Sequence, residues 1–435
     1  MRLIIPMTLQ NFMFALIPVS DAVMLVVLDQ DSMSAVSLAS QVMFVFNMFV
    51  YAILSGMNMF AAQYWGSRDK DSMEKVQAYV MNLMIPISFF FFAITFILPE
   101  GVMRIFTDEP AIIAYGIGYL RMVSFAYIFD GVAQVFSTML KNTELVKQST
   151  IIGVGMVFLN IGLNAVFIYG LCGAPAMGAN GAALATTVSC LAGCIAAVDV
   201  FVFKCPVKMR FSYFASPLKD FRKQFSKYTT PMVTNQLLWG IAFTLTSVII
   251  GHMGRDAVAA NAIAAVAKDL VSCFCYALGA GGGIVVGNEL GAGNLALAKE
   301  YGIKITKLSV VSGLLLGIFL ASLTPVIVHF TNLTPTASRY LTGMLLMCSY
   351  YIMGRSINST VIGGIFPAGG DTIFGMICDT VTMWFFILPV ASIAAFVLKW
   401  PVMVVFFLIN LDEMIKLPVV FHHFRKYKWV KNIVS

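Results

Sequence analysis

The sequence predicts an all-α integral membrane protein with twelve spanning helices. They fall in two six-helix lobes related by a pseudo-two-fold axis along the membrane normal. Three observations predict this. Apolar residues make up 59% of the 435 positions and charged residues only 11%, whereas a soluble domain runs near half and a quarter. The apolar residues gather in runs that match the ~20 residues a helix needs to cross a bilayer, and far exceed the ~10 of a barrel strand. Finally, the second half repeats the first at a fixed offset of 225 residues.

The offset is visible residue by residue. Pro6-Met7 recurs as Pro231-Met232, Asp31 as Asp256, Ala35 as Ala260, Ala39 as Ala264, Gly56 as Gly281 and Gly66 as Gly291. Further on, Tyr115, Gly118, Leu120, Met122 and Ser124 recur as Tyr340, Gly343, Leu345, Met347 and Ser349. A duplicated, very hydrophobic unit is a signature of secondary transporters, whose path lies between the halves.

The first apolar run, 3–28, follows a single arginine and lacks a small-residue cleavage site. It reads as a retained helix, not a signal peptide. The next five runs are 33–60, 77–99, 111–140, 149–171 and 180–203. They complete a first lobe over 1–203. A basic join, 204–227, carries seven Lys and Arg against one acid, Asp220, and reads as a cytoplasmic linker or an amphipathic surface helix. The second lobe, 228–435, holds runs at 228–250, 257–286, 303–329, 339–366, 372–397 and 401–422, then a short basic tail. An even number of spans in each half gives both halves the same topology.

Orientation follows from the basic residues. With both termini in the cytoplasm, the inner segments hold twenty Lys and Arg. The outer segments hold only four: Arg104, Arg255, Arg339 and Lys399. Topology therefore accounts for the net charge of +7, and no nucleic-acid partner is needed. The expected location is the cell membrane, as a multi-pass monomer in contact with lipid.

Nothing in the pattern suggests an enzyme. The eight cysteines show no metal or disulfide spacing, and there are only four histidines. No Ser-His-Asp set, phosphate loop or HExxH motif is present. No cofactor is expected. Gly279-Ala-Gly-Gly-Gly283 lies inside a span, where close helix packing explains it better than phosphate binding does. Two matching segments end spans two and eight: Gln63-Tyr-Trp-Gly66-Ser-Arg-Asp-Lys70 and Asn288-Glu-Leu-Gly291-Ala-Gly-Asn294. Each ends a long helix at a glycine before a short polar turn.

Ionisable groups inside a membrane are costly and need a reason. Asp21 falls in the outer half of the first span, three residues after Pro18. Proline removes one backbone hydrogen bond and can kink the helix, so a carboxylate sits beside a deformable point. Asn160 and Asn164 are four apart, on one face of the fifth span. Their amide oxygens suit either a hard cation beside Asp21 or hydrogen bonds between helices. Thr186 on the sixth span offers one more oxygen. Asp130 lies midway along the fourth span with Gln134 one turn on. Arg121 is nine residues away on the same helix, too far for direct contact. The repeat places Arg355 opposite Asp130. Lys268 and Asp269 sit mid-span and point about 100° apart, so each needs a partner on another helix. The candidates are Arg355, Asp379, Asp412 and Glu413. A substrate site and a structural polar network both remain open for these residues.

Three stretches resemble the multidrug and toxic compound extrusion (MATE) family. They are Pro18-Val-Ser-Asp21-Ala22, then Asn160-Ile-Gly-Leu-Asn164-Ala-Val-Phe-Ile-Tyr-Gly170 with Gly178-Ala-Asn-Gly-Ala-Ala-Leu-Ala-Thr186, and Glu289-Leu-Gly-Ala-Gly-Asn294. The resemblance extends over essentially the whole chain. It implies an antiporter that expels lipophilic, often cationic drugs or dyes in exchange for protons or sodium. It also assigns the cation site to Asp21, with a sodium ion there the one metal left open. Some members carry an acid where this chain has Asn164. Sodium-coupled relatives carry a Glu on the seventh span, where Trp239 or Gly240 stands here, and an Asp on the tenth, near Arg355 and Ser356. A sodium site in the second lobe is therefore not expected. A flippase for a lipid or lipid-linked oligosaccharide is the alternative reading.

Overall fold

The computed structural model describes residues 2–26, 30–210, 212–215, 219–331 and 333–434. It is helical, with no strand among the described residues. The helices of the first half are α1 (Ile4–Val26), α2 (Gln30–Gly66), α3 (Lys70–Ile97), α4 (Pro110–Asn142), α5 (Val146–Tyr169) and α6 (Ala179–Lys204). Those of the second are α7 (Lys219–Gly251), α8 (Arg255–Gly291), α9 (Leu295–His329) and α10, which starts as Pro335–Thr360. They are followed by α11 (Thr372–Val397) and α12, which comes in two pieces, Val402–Ile409 and Asp412–Phe424.

Among the described residues, ten helices, α1 to α9 and α11, are long and apolar enough to cross a membrane. The other two expected spans exist as helices but carry the polar load of the second half. α10 contains Arg355, Ser356, Asn358, Ser359 and Thr360 within two turns, which lowers its hydropathy. α12 is broken at Asn410-Leu411. Most helices also outrun the apolar stretches that announce them. α9 starts at Leu295 and α3 at Lys70, because polar turns extend a helix past the lipid-facing part. For the same reason α7 takes in residues 219–227 of the expected linker. The last two positions of the first apolar run, 27 and 28, lie outside the described residues.

The chain divides into two units. One is Met1–Ala61 with Asp69–Lys223, the other Ala62–Arg68 with Gln224–Ser435. The boundary thus falls at Lys223, and the last turn of α2 groups with the second unit. In the first unit α3 packs on α4 and α4 on α6. In the second, their repeat counterparts pack the same way, α9 on α10 and α10 on α12. The core of the first unit includes an aromatic cluster, with Phe46 at 5.3 Å from Phe91 and 5.2 Å from Tyr127 between ring centres.

The second unit explains the two matching glycine turns. A Cβ on Gly66 would stand 1.8 Å from the backbone oxygen of Asn288. A Cβ on Gly291 would stand 1.8 Å from the backbone oxygen of Gln63. Gln63 and Asn288 are themselves repeat equivalents, so the contact is reciprocal. The chain's end is anchored nearby. Trp429 is fully buried, and Gln63 donates to the carbonyls of Ala368 and Lys431 and accepts from the Ile433 amide. The glycine run at 279–283 serves close packing, with the backbones of Gly279 and Gly364 too near each other to admit a side chain.

Candidate functional site

In the first unit α1, α5 and α6 bring four of the sequence-selected residues together. α1 runs through Pro18 without ending and presents Asp21, which is nine-tenths buried. α5 turns Asn160 and Asn164 to the same face, 1% and 0% exposed. Asn164 Nδ2 donates to Asp21 Oδ1 at 2.5 Å and to Asn160 Oδ1 at 3.3 Å. Asn160 Nδ2 donates in turn to Thr186 Oγ1 at 3.3 Å. Thr186 completes the chain by donating to the carbonyl of Ala182 at 3.0 Å. The carbonyl oxygen of Asn164 is buried and has no hydrogen-bond partner among the described residues.

The small residues of the α5–α6 connection make this register possible. Gly170 caps α5 in the left-handed conformation, φ 74°, which side chains resist. Gly181 lies so close to Phe167 that a Cβ would come within 2.5 Å of its carbonyl oxygen. The ends of α5 and α6 are thereby pressed together, and Thr186 reaches Asn160. Chemically the cluster holds one carboxylate and several neutral oxygens, with no cation among its hydrogen-bonded members. Hard oxygen donors of this kind suit a proton or a small hard cation.

Asp130 stands apart from this chain of bonds. Its carboxylate lies near Gln134, one turn along α4, and faces Cys190 and Cys194 of α6.

In the second unit the acids proposed to serve Lys268 and Asp269 hold other cations instead. Arg355 Nη1 bonds Glu413 Oε1 at 2.6 Å, and Nη2 donates to the Tyr276 hydroxyl at 2.7 Å. Its guanidinium lies over the rings of Trp239 and Tyr276. Lys268 rests its ammonium 4.8 Å from the centre of the Tyr351 ring. Asp269 is within electrostatic reach of Lys268 and Arg355. The repeat pair Asp130 and Arg355 therefore meet different surroundings, an amide in one unit and a carboxylate in the other. Sequence reasoning missed Lys416, which bonds Asp379 Oδ1 at 2.9 Å and Glu413 Oε2 at 3.2 Å. The signal was present: Asp412, Glu413 and Lys416 share one face of a helix at spacings of four and three.

The three helices that supply the Arg355–Glu413–Lys416–Asp379 network, α10, α11 and α12, each lose regular α geometry close by, whereas α8, which carries Lys268 and Asp269, stays regular. α10 widens to π-helical turns at Val361–Ile365, just past Asn358, and α11 does so at Val381–Ile387, just past Asp379. α12 breaks immediately before Asp412. π-helical turns recur at functional sites, and irregular backbone at membrane depth is tolerated where it is buried in protein or lines a cavity.

Comparison with known proteins decides the family. The MatE family model matches residues 6–166 and 231–393, two copies whose starts are separated by the offset of the internal repeat. The chain belongs to the MatE family. It is 23% identical to the uncharacterized transporter YisQ of Bacillus subtilis over 419 residues, covering 95% of this chain and 90% of the relative. It is 24% identical to the multidrug resistance protein MdtK of Photorhabdus laumondii, over 74% of this chain and 69% of the relative. Solved structures agree on the fold. A crystal structure of MATE in complex with MaL6 superposes with a TM-score of 0.89 at 19% identity, over 98% of this chain and 95% of that one. A MOP superfamily transporter from Pyrococcus furiosus gives 0.88 at 18%, over 98% and 94%. The protein is thus a multi-pass membrane protein of a multidrug-efflux transporter family, with its twelve-helix, two-lobe fold.

Proposed function

We propose that this MatE protein is a secondary antiporter. It exports lipophilic, often cationic small molecules in exchange for protons or sodium, by alternating access. It resides in the cell membrane as a monomer with both termini cytoplasmic. It uses no cofactor besides the coupling ion. The observation that carries the reading is the buried bond between Asp21 and Asn164, beside an Asn164 oxygen that has no partner among the described residues. A carboxylate that gains a positive charge there changes its need for the Asn164 amide. Such a change at a residue next to Pro18 is a means of bending α1. The relatives named for multidrug resistance support the class of cargo. A membrane potential of 100 mV moves one charge with about 2.3 kcal/mol, enough to bias the exchange.

The residues of the second unit, Arg355, Lys268, Asp269, and in the first unit Asp130 and Gln134, are assigned to substrate contact or to helix cohesion. The experiment is dye efflux from proteoliposomes under an imposed proton gradient and, separately, an imposed sodium gradient. Efflux driven by one of them supports the antiporter and names the ion. Dye movement indifferent to both gradients contradicts it, and lipid scrambling in its place favours the flippase alternative.

A further inference from the structure

The second unit buries a set of ionisable groups whose charges do not cancel. Glu413 is fully buried and completely engaged, by Arg355 at 2.6 Å, by Asn358 Nδ2 at 2.7 Å and by Lys416 at 3.2 Å. Asp379 is held by Lys416 at 2.9 Å and by Asn235 Nδ2 at 2.9 Å. Asp412 is also buried, and its contact with Lys416 is the loosest, 3.8 Å. Three carboxylates therefore share two cations, Arg355 and Lys416.

The remaining groups around Asp412 do not restore the balance. Lys268 of α8 is the other cation that acts on it, but Lys268 is offset by the adjoining Asp269 and is turned to the Tyr351 ring. Tyr350 and Tyr351 of α10 also face it, and neither brings a positive charge. Among the described residues one net negative charge is left in a buried site, which is strongly unfavourable. A single proton removes it.

Geometry selects the carboxyl that takes the proton. The helix N-terminus formed where α12 restarts favours anions, but it acts on Asp412 and Glu413 alike and does not choose between them. Their contacts do choose, since Glu413 and Asp379 each have two or more close partners. Asp412 also adjoins the break at Asn410-Leu411, where the Asn410 carbonyl accepts from the Tyr350 hydroxyl at 3.1 Å. We propose that Asp412 is a proton-binding site of the second unit, distinct from the Asp21 cluster, and that its proton keeps the Arg355–Glu413–Lys416–Asp379 network neutral. Loss of that proton sets a third carboxylate in competition for Lys416, at the point where α12 is already discontinuous. Use of this proton in exchange rests on the antiporter reading; its presence on Asp412 does not.

Infrared spectroscopy of the purified full-length protein at neutral pH tests this through the carbonyl stretch of protonated carboxyl groups. The expected result is a band that Asp412→Asn removes and Asp21→Asn leaves in place. Asp412→Glu, which keeps the carboxyl and guards against a folding failure, should shift the band in frequency. A spectrum unchanged by both Asp412 variants, or a band removed by Asp379→Asn and untouched by Asp412→Glu, overturns the assignment.

Discussion

Asn164 gives its amide to Asp21 at 2.5 Å, and its own carbonyl oxygen finds no partner among the described residues. The donor fixes the carboxylate, and in the proposed exchange the free oxygen would serve a cation. Both depend on a single side chain that turns out of α5 one turn beyond Asn160. The relationship is local to the first unit, so its disruption should alter exchange without unfolding the protein.

Asn164→Ala removes the donor and the free oxygen together. A hydrogen bond to a charged group is worth about 1.5–3 kcal/mol. The apparent affinity for the coupling cation should fall roughly 10- to 100-fold, with the helical content unchanged. Efflux measured against increasing gradient reads this as a shift to steeper gradients. An unshifted curve would show that the amide is not part of the ion site.

Gly66→Ala and Gly291→Ala should each be severely destabilising. The new methyl meets a backbone oxygen, which cannot rotate away as a side chain can. Overpacking costs about 1–3 kcal/mol, and more when nothing yields. Gly155 and Gly162 of α5 serve as controls, since a Cβ at either finds nothing within 4 Å. Alanine there should be neutral or stabilising by up to about 1 kcal/mol. Thermal melts in detergent compare the four variants, and equal melting temperatures would refute the reciprocal contact.

Glu413→Gln leaves Arg355 and Lys416 short of a carboxylate in a buried site. Breaking a buried pair in this way costs about 3–5 kcal/mol. Pairing it with Arg355→Met should restore much of the loss, because the orphaned cation is gone. If the double variant melts no higher than Glu413→Gln alone, the two residues are not coupled as their 2.6 Å contact implies.

The fold was largely legible in the sequence, and for a physical reason. Lipid demands continuous apolar helices, so the spans announce themselves by composition, and the duplication at offset 225 marks the halves. The Asp21 cluster was legible in part. Asn160 and Asn164 share a face by helical spacing alone, whereas their approach to Asp21 and Thr186 depends on the squeezed α5–α6 connection around Gly181. The network of the second unit was harder to read. Lys416 sits near the end of a span, where a basic residue ordinarily signals the membrane surface. Neither the π-helical turns beside Asn358 and Asp379 nor the grouping of residues 62–68 with the second unit has a compositional sign.

The exchange cycle proposed above places the coupling charge on Asp21. The direct measurement is dye efflux by Asp21→Asn in proteoliposomes under the gradient that drives the wild type. Gradient-driven efflux should vanish while the protein inserts and melts as the wild type does. Efflux at the wild-type rate and with the wild-type dependence on the gradient would contradict it.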